Sequence, residues 1–285
     1  MSKIRIVTDS TADLNQSLVD QYQIEVVSLD VIVEGTTYKD KVDITNDEFY
    51  EKLRAAAALP TTSQPSPAAF ADAYKKLAGE GAETIFSIHL ANELSGTYQS
   101  SVLAGNMVSD QVRVINVDSR SATIGLGLVV KYVAEMVDRG ASVSEVEAKI
   151  ADILANQQLY FLLDSLDNLH KGGRIGKASH LFGTLLNIKP VLSLSDGVIS
   201  AYEKVRGNKE RKALERLIEI LAEKIDPNRK VYCVLGYCDN IETAKYIEER
   251  LKDKIQCDEF VYEQIGTVVA THVGMGAVGM AFYQD

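Results

Sequence analysis

Apolar and polar positions in the first half of the chain alternate between two periods. Short apolar runs read as buried strands: "KIRIVT" from Lys3, "IEVVSLDVIV" from Ile24, "ETIFSIHL" from Glu83 and "VRVINV" from Val112. Between them lie helix patterns: a polar one from about Asn15, one through "NDEFYEKLRAAAA", one from Pro67, one after Ser95, and a long one from about Ser121 to Asp138, closed by Gly140. Strands alternating with helices predict a parallel sheet with helices on its faces. Several helix starts carry their own chemistry. Thr45 with Glu48 and Ser142 with Glu145 have capping-box spacing, and Ser66 precedes a first-turn proline, Pro67.

After about Gln157 the pattern changes. "LYFLLDSLDNL" is followed by "KGGRIG" and then by "KPVLSLSDGVISAYEKV", where Asp196-Gly197 between two alternating runs predicts a hairpin. So short a connection requires antiparallel strands. Helix patterns "KERKALERLIEILAEKI" and "IETAKYIEERLKDKI" flank the strand "KVYCVLGY", and the last segment is "CDEFVYEQIGTVVATHVGMGAVGMAFYQ". The expected fold is α/β, with a parallel-sheet, three-layer N-terminal domain over 1–157. A smaller α/β domain with a mixed, largely antiparallel sheet covers 158–285. No long linker separates them, so a tight interface is expected.

Composition narrows the function classes. The chain has 285 residues, longer than one usual domain, with 46% hydrophobic and 25% charged residues, which fits a globular protein with an ample core. A net charge of −10, a pI near 5.0 and no block of Lys and Arg argue against nucleic acid as a partner. Cys233, Cys238 and Cys257 are odd in number and lack zinc-ligand spacing, so reduced, buried thiols in a cytoplasmic protein are expected. "MSKIRIVTDS" runs directly into a strand pattern without an apolar leader core. No apolar run approaches the roughly 20 residues of a membrane helix, so no integral membrane association is expected.

Several motifs fail on inspection. "GMGAVG", residues 274–279, has the glycine spacing of a dinucleotide loop but too few residues after it for the helix and the ribose-binding acid. "KGGRIGKAS" resembles a Walker A loop, yet Lys171 and Ala178 stand where glycine and Ser or Thr are needed. No cofactor and no metal site are expected; His89, His170 and His180 lack metal-ligand spacing. Asp9 and Asp118 each end a strand, where a carboxylate can hold a metal, do acid-base work or tie a βα loop through its backbone N–H groups; the last is favoured.

Three elements keep a ligand-binding option. Ser95 in "NELSGT" lacks the glycines of a hydrolase elbow, which leaves a grip for an anionic group or a helix cap. "PTTSQPSP", 60–67, holds four small polar residues among prolines, so its hydroxyls sit on a stiff segment. His272 lies between an apolar run and glycines that permit close approach.

Together, "VTDSTADL", "PTTSQPSP", "LSGTYQS", "VDSRSATIGLG", "LHKGGRIG", "LLNIKPVL" and "THVGMGAVGMAF" resemble the DegV family, the fatty-acid-binding proteins of the bacterial fatty acid kinase system. The likeness spans nearly the whole chain in the family's motif order. It implies one long-chain fatty acid in an apolar tunnel between two domains, with no catalysis by this chain. A separate ATP-dependent kinase subunit would phosphorylate the bound carboxylate, and the acyl phosphate would feed phospholipid metabolism. The carboxylate would be held by Thr62, Ser95 and His272, with Thr61 an alternative to its neighbour. Lys171 and Arg174 would contact the partner or a phosphate. A lipid-binding sensor without a kinase and a serine esterase built on Ser95 and His272 are the alternatives.

Overall fold

The computed structural model describes residues 3–182, 188–207, 210–257 and 259–284. Residues 185–187 of "LLNIKPVL", Lys209 of a predicted helix and Asp258 of the last segment lie outside the described residues.

A four-stranded parallel sheet has the order β2-β1-β6-β7, from β1 (Ile4–Asp9), β2 (Glu25–Val27), β6 (Thr84–His89) and β7 (Arg113–Asp118). All six residues of β6 are buried, as a parallel strand covered on both faces must be. Its alternate side chains go to different layers. Ile85 joins Phe70, Tyr74 and Ala104 of α3 (Pro67–Gly79) and α4 (Thr97–Met107), while Phe86 and Ile88 join the core on the opposite side.

On that side lies α5 (Thr123–Asp138), whose residues from Thr123 to Val130 are all buried. A helix apolar all round needs cover all round. It packs on β1 and β6 and also on β11 (Val231–Tyr237) and β13 (Val278–Gln284) of a second sheet. That sheet has six strands in the order β10-β9-β8-β13-β11-β12, adding β8 (Gln158–Leu162), β9 (Ile188–Ser195), β10 (Val198–Arg206) and β12 (Phe260–Gln264). Only β11 and β12 pair in parallel; the other four pairings are antiparallel. Its outer face carries α8 (Glu210–Lys224) and α9 (Ile241–Leu251). One core runs from Ile4 to Tyr283 and so joins both halves of the chain.

Local signals hold where their cause is local. Both capping boxes form, at the starts of α2 (Asn46–Ala55) and α6 (Val143–Asn156), and Ser66 caps α3. Asp196 and Gly197 turn β9 into β10 with φ of 50° and 76°, the left-handed pair of a type I′ hairpin. The tip of that hairpin docks on the first half: Gly197 N–H donates to Arg120 O at 2.9 Å.

Two sequence expectations need correction. "IEVVSLDVIV" is not one strand but two, β2 and β3 (Asp30–Val33), which enter different sheets. β3 centres a small antiparallel sheet with β4 (Thr36–Lys39) and β5 (Thr61–Ser63), in the order β4-β3-β5. The "PTTSQP" segment is therefore an edge strand held by hydrogen bonds, and its prolines only flank it. Cys257 is half-buried, unlike Cys233 and Cys238, and among the described residues none of the three is in a disulfide. Among the described residues no helix is long and apolar enough to cross a membrane.

Candidate functional site

The first half contributes β5 and the turn from β6 into α4. The second half contributes α10 (Thr267–Val273) and the loop after α7 (Asp167–Lys171). α10 packs against α2, β3 and β5, which carries a second-half histidine onto a first-half strand. A polar seam secures this docking: Tyr50 OH donates to Ile265 O at 2.7 Å, and Thr267 Oγ1 donates to Asp40 Oδ1 at 2.8 Å.

These elements enclose a cavity of about 300 Å³. Its walls are mostly apolar, including Leu29, Leu90, Ile124, Phe161, Ile199 and Val268, and its polar atoms come from Thr62, Gln64, Ser95, Thr123, Arg174 and His272 among others. A few convergent polar groups in an apolar enclosure are the usual form of a small-molecule site.

Strand alternation separates the two threonines. Thr62 is half-buried and lines the cavity, whereas Thr61 is exposed and outside the lining. Thr62 Oγ1 lies 2.9 Å from His272 Nε2. Burial pushes the pKa of His272 down to about 4, and the Arg174 guanidinium adds to the effect, so the imidazole is neutral at pH 7. Among the described residues its Nδ1 is buried without a hydrogen-bond partner, backed by Gly172, where a Cβ would come too close to that nitrogen. We therefore assign the imidazole proton to Nε2, because a proton on Nδ1 would be a buried, unpaired donor. Nε2–H then donates to Thr62 Oγ1, which frees the threonine O–H to donate into the cavity.

Ser95 is not the cap of α4. The cap is Gly96, and Ser95 stands one residue earlier, its Oγ accepting from Thr97 N–H at 3.3 Å and lying 2.9 Å from Thr97 Oγ1. His272 turns its Nε2 to Thr62, so Ser95 and His272 do not form a nucleophile–base pair. Arg174 lines the same cavity, donating through Nε to Leu94 O at 3.1 Å and through Nη1 to Gly172 O at 2.7 Å. Lys171 is exposed and outside the lining. Four of the five predicted site residues thus converge, and Lys171 stays apart.

Thr123 and Gln64 are lining residues the sequence did not single out. Thr123 has a φ of 47°, costly for a β-branched residue, and its Oγ1 donates to Asp13 Oδ2 at 2.6 Å. Asp13 is buried, which pushes its pKa up to about 6 against the opposing pull of Lys41.

Asp9 and Asp118 tie loops, as favoured. Asp9 accepts from Thr11 N and Leu90 N at 3.1 Å each, and Asp118 from Arg120 N at 2.9 Å. A histidine far off in sequence also reaches Asp9. His89 Nδ1 lies 3.0 Å from Asp9 Oδ2, and its Nε2 lies 2.6 Å from Ser87 Oγ, which in turn is 2.6 Å from Tyr74 OH. The order Ser–His–Asp is that of a hydrolase relay. All three side chains have 0% exposure, and the Phe70 ring packs edge-on against His89 at 4.8 Å, so no substrate reaches the serine. "GMGAVG" leads into strand β13, not a helix, and among the described residues no three His, Cys, Asp or Glu side chains form a metal cluster.

Residues 3–285 match the family described as "Uncharacterised protein, DegV family". The chain belongs to the DegV family. A DegV domain-containing protein of Halalkalibacterium halodurans is 34% identical over 283 residues, 99% of each chain. Among solved structures, a fatty-acid-binding DegV family protein from Thermus thermophilus superposes with a TM-score of 0.92 at 34% identity, covering 99% of this chain and 100% of that one. A stearic-acid-binding protein from Eubacterium ventriosum superposes at 0.89 with 27% identity, covering 100% and 98%. In this DegV chain the described cavity lining contains Arg174 and no Asp or Glu, and the Arg174 charge is near enough to act on His272.

Proposed function

We propose that the protein binds one long-chain fatty acid in this cavity, between domains 1–157 and 158–285, and is a cytoplasmic, non-catalytic lipid carrier. The observation that carries the proposal is the pairing of Thr62 with His272 at the polar end of an otherwise apolar enclosure. An unpaired carboxylate cannot be buried among apolar walls without a large penalty. Thr62 O–H and Ser95 O–H supply hydrogen bonds, the neutral His272 orients the Thr62 hydroxyl through Nε2–H, and Arg174 supplies charge. The acyl chain supplies the affinity: about fourteen methylenes at about 0.8 kcal/mol each give roughly 11 kcal/mol before ordering costs. Fatty-acid-binding DegV relatives support the same ligand.

In this proposal a separate ATP-dependent kinase phosphorylates the held carboxylate, and the acyl phosphate passes to phospholipid metabolism. On this reading Lys171, which is exposed, meets that partner, and Arg174, which lines the cavity, stays with the carboxylate. The direct test is mass spectrometry of an organic extract of the purified protein. Stoichiometric fatty acid is expected; none after gentle purification, with no uptake of added fatty acid, refutes the lipid reading.

A further inference from the structure

Gly96 has φ −72° and ψ 7°, a conformation open to any L-residue, so its lack of a side chain serves space and not backbone freedom. What fills the space is Gln64. A Cβ on Gly96 would lie 2.2 Å from Gln64 Oε1 and 2.8 Å from both Cδ and Nε2, so the whole amide lies against the glycine. The same amide donates from Nε2 to Ser100 Oγ at 3.1 Å, in the first turn of α4. Gln64 follows β5 and stands two residues after Thr62; Gly96 follows Ser95. Both Gln64 and Ser95 line the cavity.

We propose that Gln64 is a positioning residue that clamps the end of β5 onto the start of α4 and so sets the spacing of the Thr62 and Ser95 hydroxyls for a carboxylate. The proposal rests on the fatty-acid reading above. Thr62 and Ser95 lie on segments that belong to different sheets, and a grip on one carboxylate needs both hydroxyls held at once. β5 is an edge strand of three residues whose pairing with β3 ends at Ser63, so that ladder does not extend to Gln64. The amide contact supplies a direct tie between the two segments.

The clash that Gly96→Ala introduces falls on the far end of a flexible side chain. The variant therefore folds, but its Gln64 amide swings off Gly96 and Ser100. Fatty-acid affinity is measured calorimetrically for wild type, Gly96→Ala, Gln64→Ala and the double variant, each with a fatty acid and with the fatty alcohol of equal length. Each single variant is expected to bind the acid about three- to tenfold more weakly, with alcohol binding unchanged and thermal midpoints near wild type. In the double variant the alanine meets no amide, so its affinity matches Gln64→Ala alone. Wild-type affinity for the acid in both single variants overturns the clamp, as does equal weakening of acid and alcohol, which marks general loosening, or additive losses in the double variant. Failure of the wild-type protein itself to take up fatty acid overturns the underlying reading instead.

Discussion

Thr62 and His272 stand 210 positions apart in sequence, and their side chains meet at 2.9 Å where β5 and α10 pack together. The pair turns a small antiparallel sheet and a short helix into one polar end of the cavity. Replacing Thr62 by Val keeps the strand and the shape but removes the hydroxyl. Binding of a long-chain fatty acid is expected to weaken by about 1–3 kcal/mol, and Thr62→Ser is expected to restore most of it. Calorimetry showing equal affinity in Thr62→Val removes this hydroxyl from the grip.

The burial of ionisable groups around this joint predicts opposing pH effects on stability. His272 titrates at about 4 in the native state against 6.5 ordinarily. Below 6.5 the unfolded chain takes up a proton that the native state refuses, so this group lowers stability as pH falls, until about 4. Asp13 and Glu263 act in the other sense. Burial raises Asp13 from 3.8 to about 6 and Glu263 from 4.5 to about 7. Their stabilising contribution is complete below the ordinary values and is lost as pH rises through the native ones. Urea denaturation from pH 4 to 8 checks this. Asp13→Asn is expected to gain stability relative to wild type progressively between about pH 4 and 6, and His272→Gln progressively as pH falls below about 6.5. A pH-independent difference in either variant refutes the corresponding assignment.

The sealed relay of Asp9, His89, Ser87 and Tyr74 has a structural task. Asp9 accepts four hydrogen bonds, from Thr11 N–H and O–H, Leu90 N–H and the His89 ring, and so joins the carboxyl ends of β1 and β6. Asp9→Ala would leave those donors buried and unpaired, with an expected loss of about 3–5 kcal/mol by urea denaturation. Ser87→Ala is expected to cost much less, and a fluorophosphonate probe is expected to label neither Ser87 nor Ser95. Covalent labelling of either serine would establish an activated nucleophile and count against the non-catalytic reading.

How far each feature was legible depended on the reach of its cause. Thr45 with Glu48, Ser142 with Glu145, and Asp196-Gly197 act within four residues, and each marks a turn or helix start that the fold contains. The strand break within "IEVVSLDVIV" left no mark in the pattern. Both halves are apolar, and only pairing of Val7 with Glu25 and of Val31 with Thr62 reveals two sheets. Ser95, His272 and the hydroxyls of "PTTSQPSP" stand out as residues, and the motif resemblance joins Thr62, Ser95 and His272 into one carboxylate grip; their convergence needs the docking of α10. Asp9 with His89 and Gln64 with Gly96 stayed invisible, because each joins segments whose separation in sequence carries no periodic signal.

The placement of Lys171 and Arg174 predicts that two cations from one motif do separate jobs. Arg174 lies on the cavity wall and donates to Leu94 O, beside Ser95, so on the proposed reading its removal withdraws charge from the carboxylate and loosens the turn that carries Ser95. Lys171 is exposed and outside the cavity lining. Transfer of a phosphoryl group to a carboxylate brings two anions together, and cations at that meeting point lower the barrier. With a kinase supplied, Arg174→Ala is expected to lower both fatty-acid affinity and the rate of acyl phosphate formation, whereas Lys171→Ala lowers only the rate. The pure chain with ATP alone is expected to give no turnover. ATP hydrolysis by the single chain would defeat the division of labour with a kinase. An unchanged coupled rate in Lys171→Ala would place the partner's contact elsewhere on the surface.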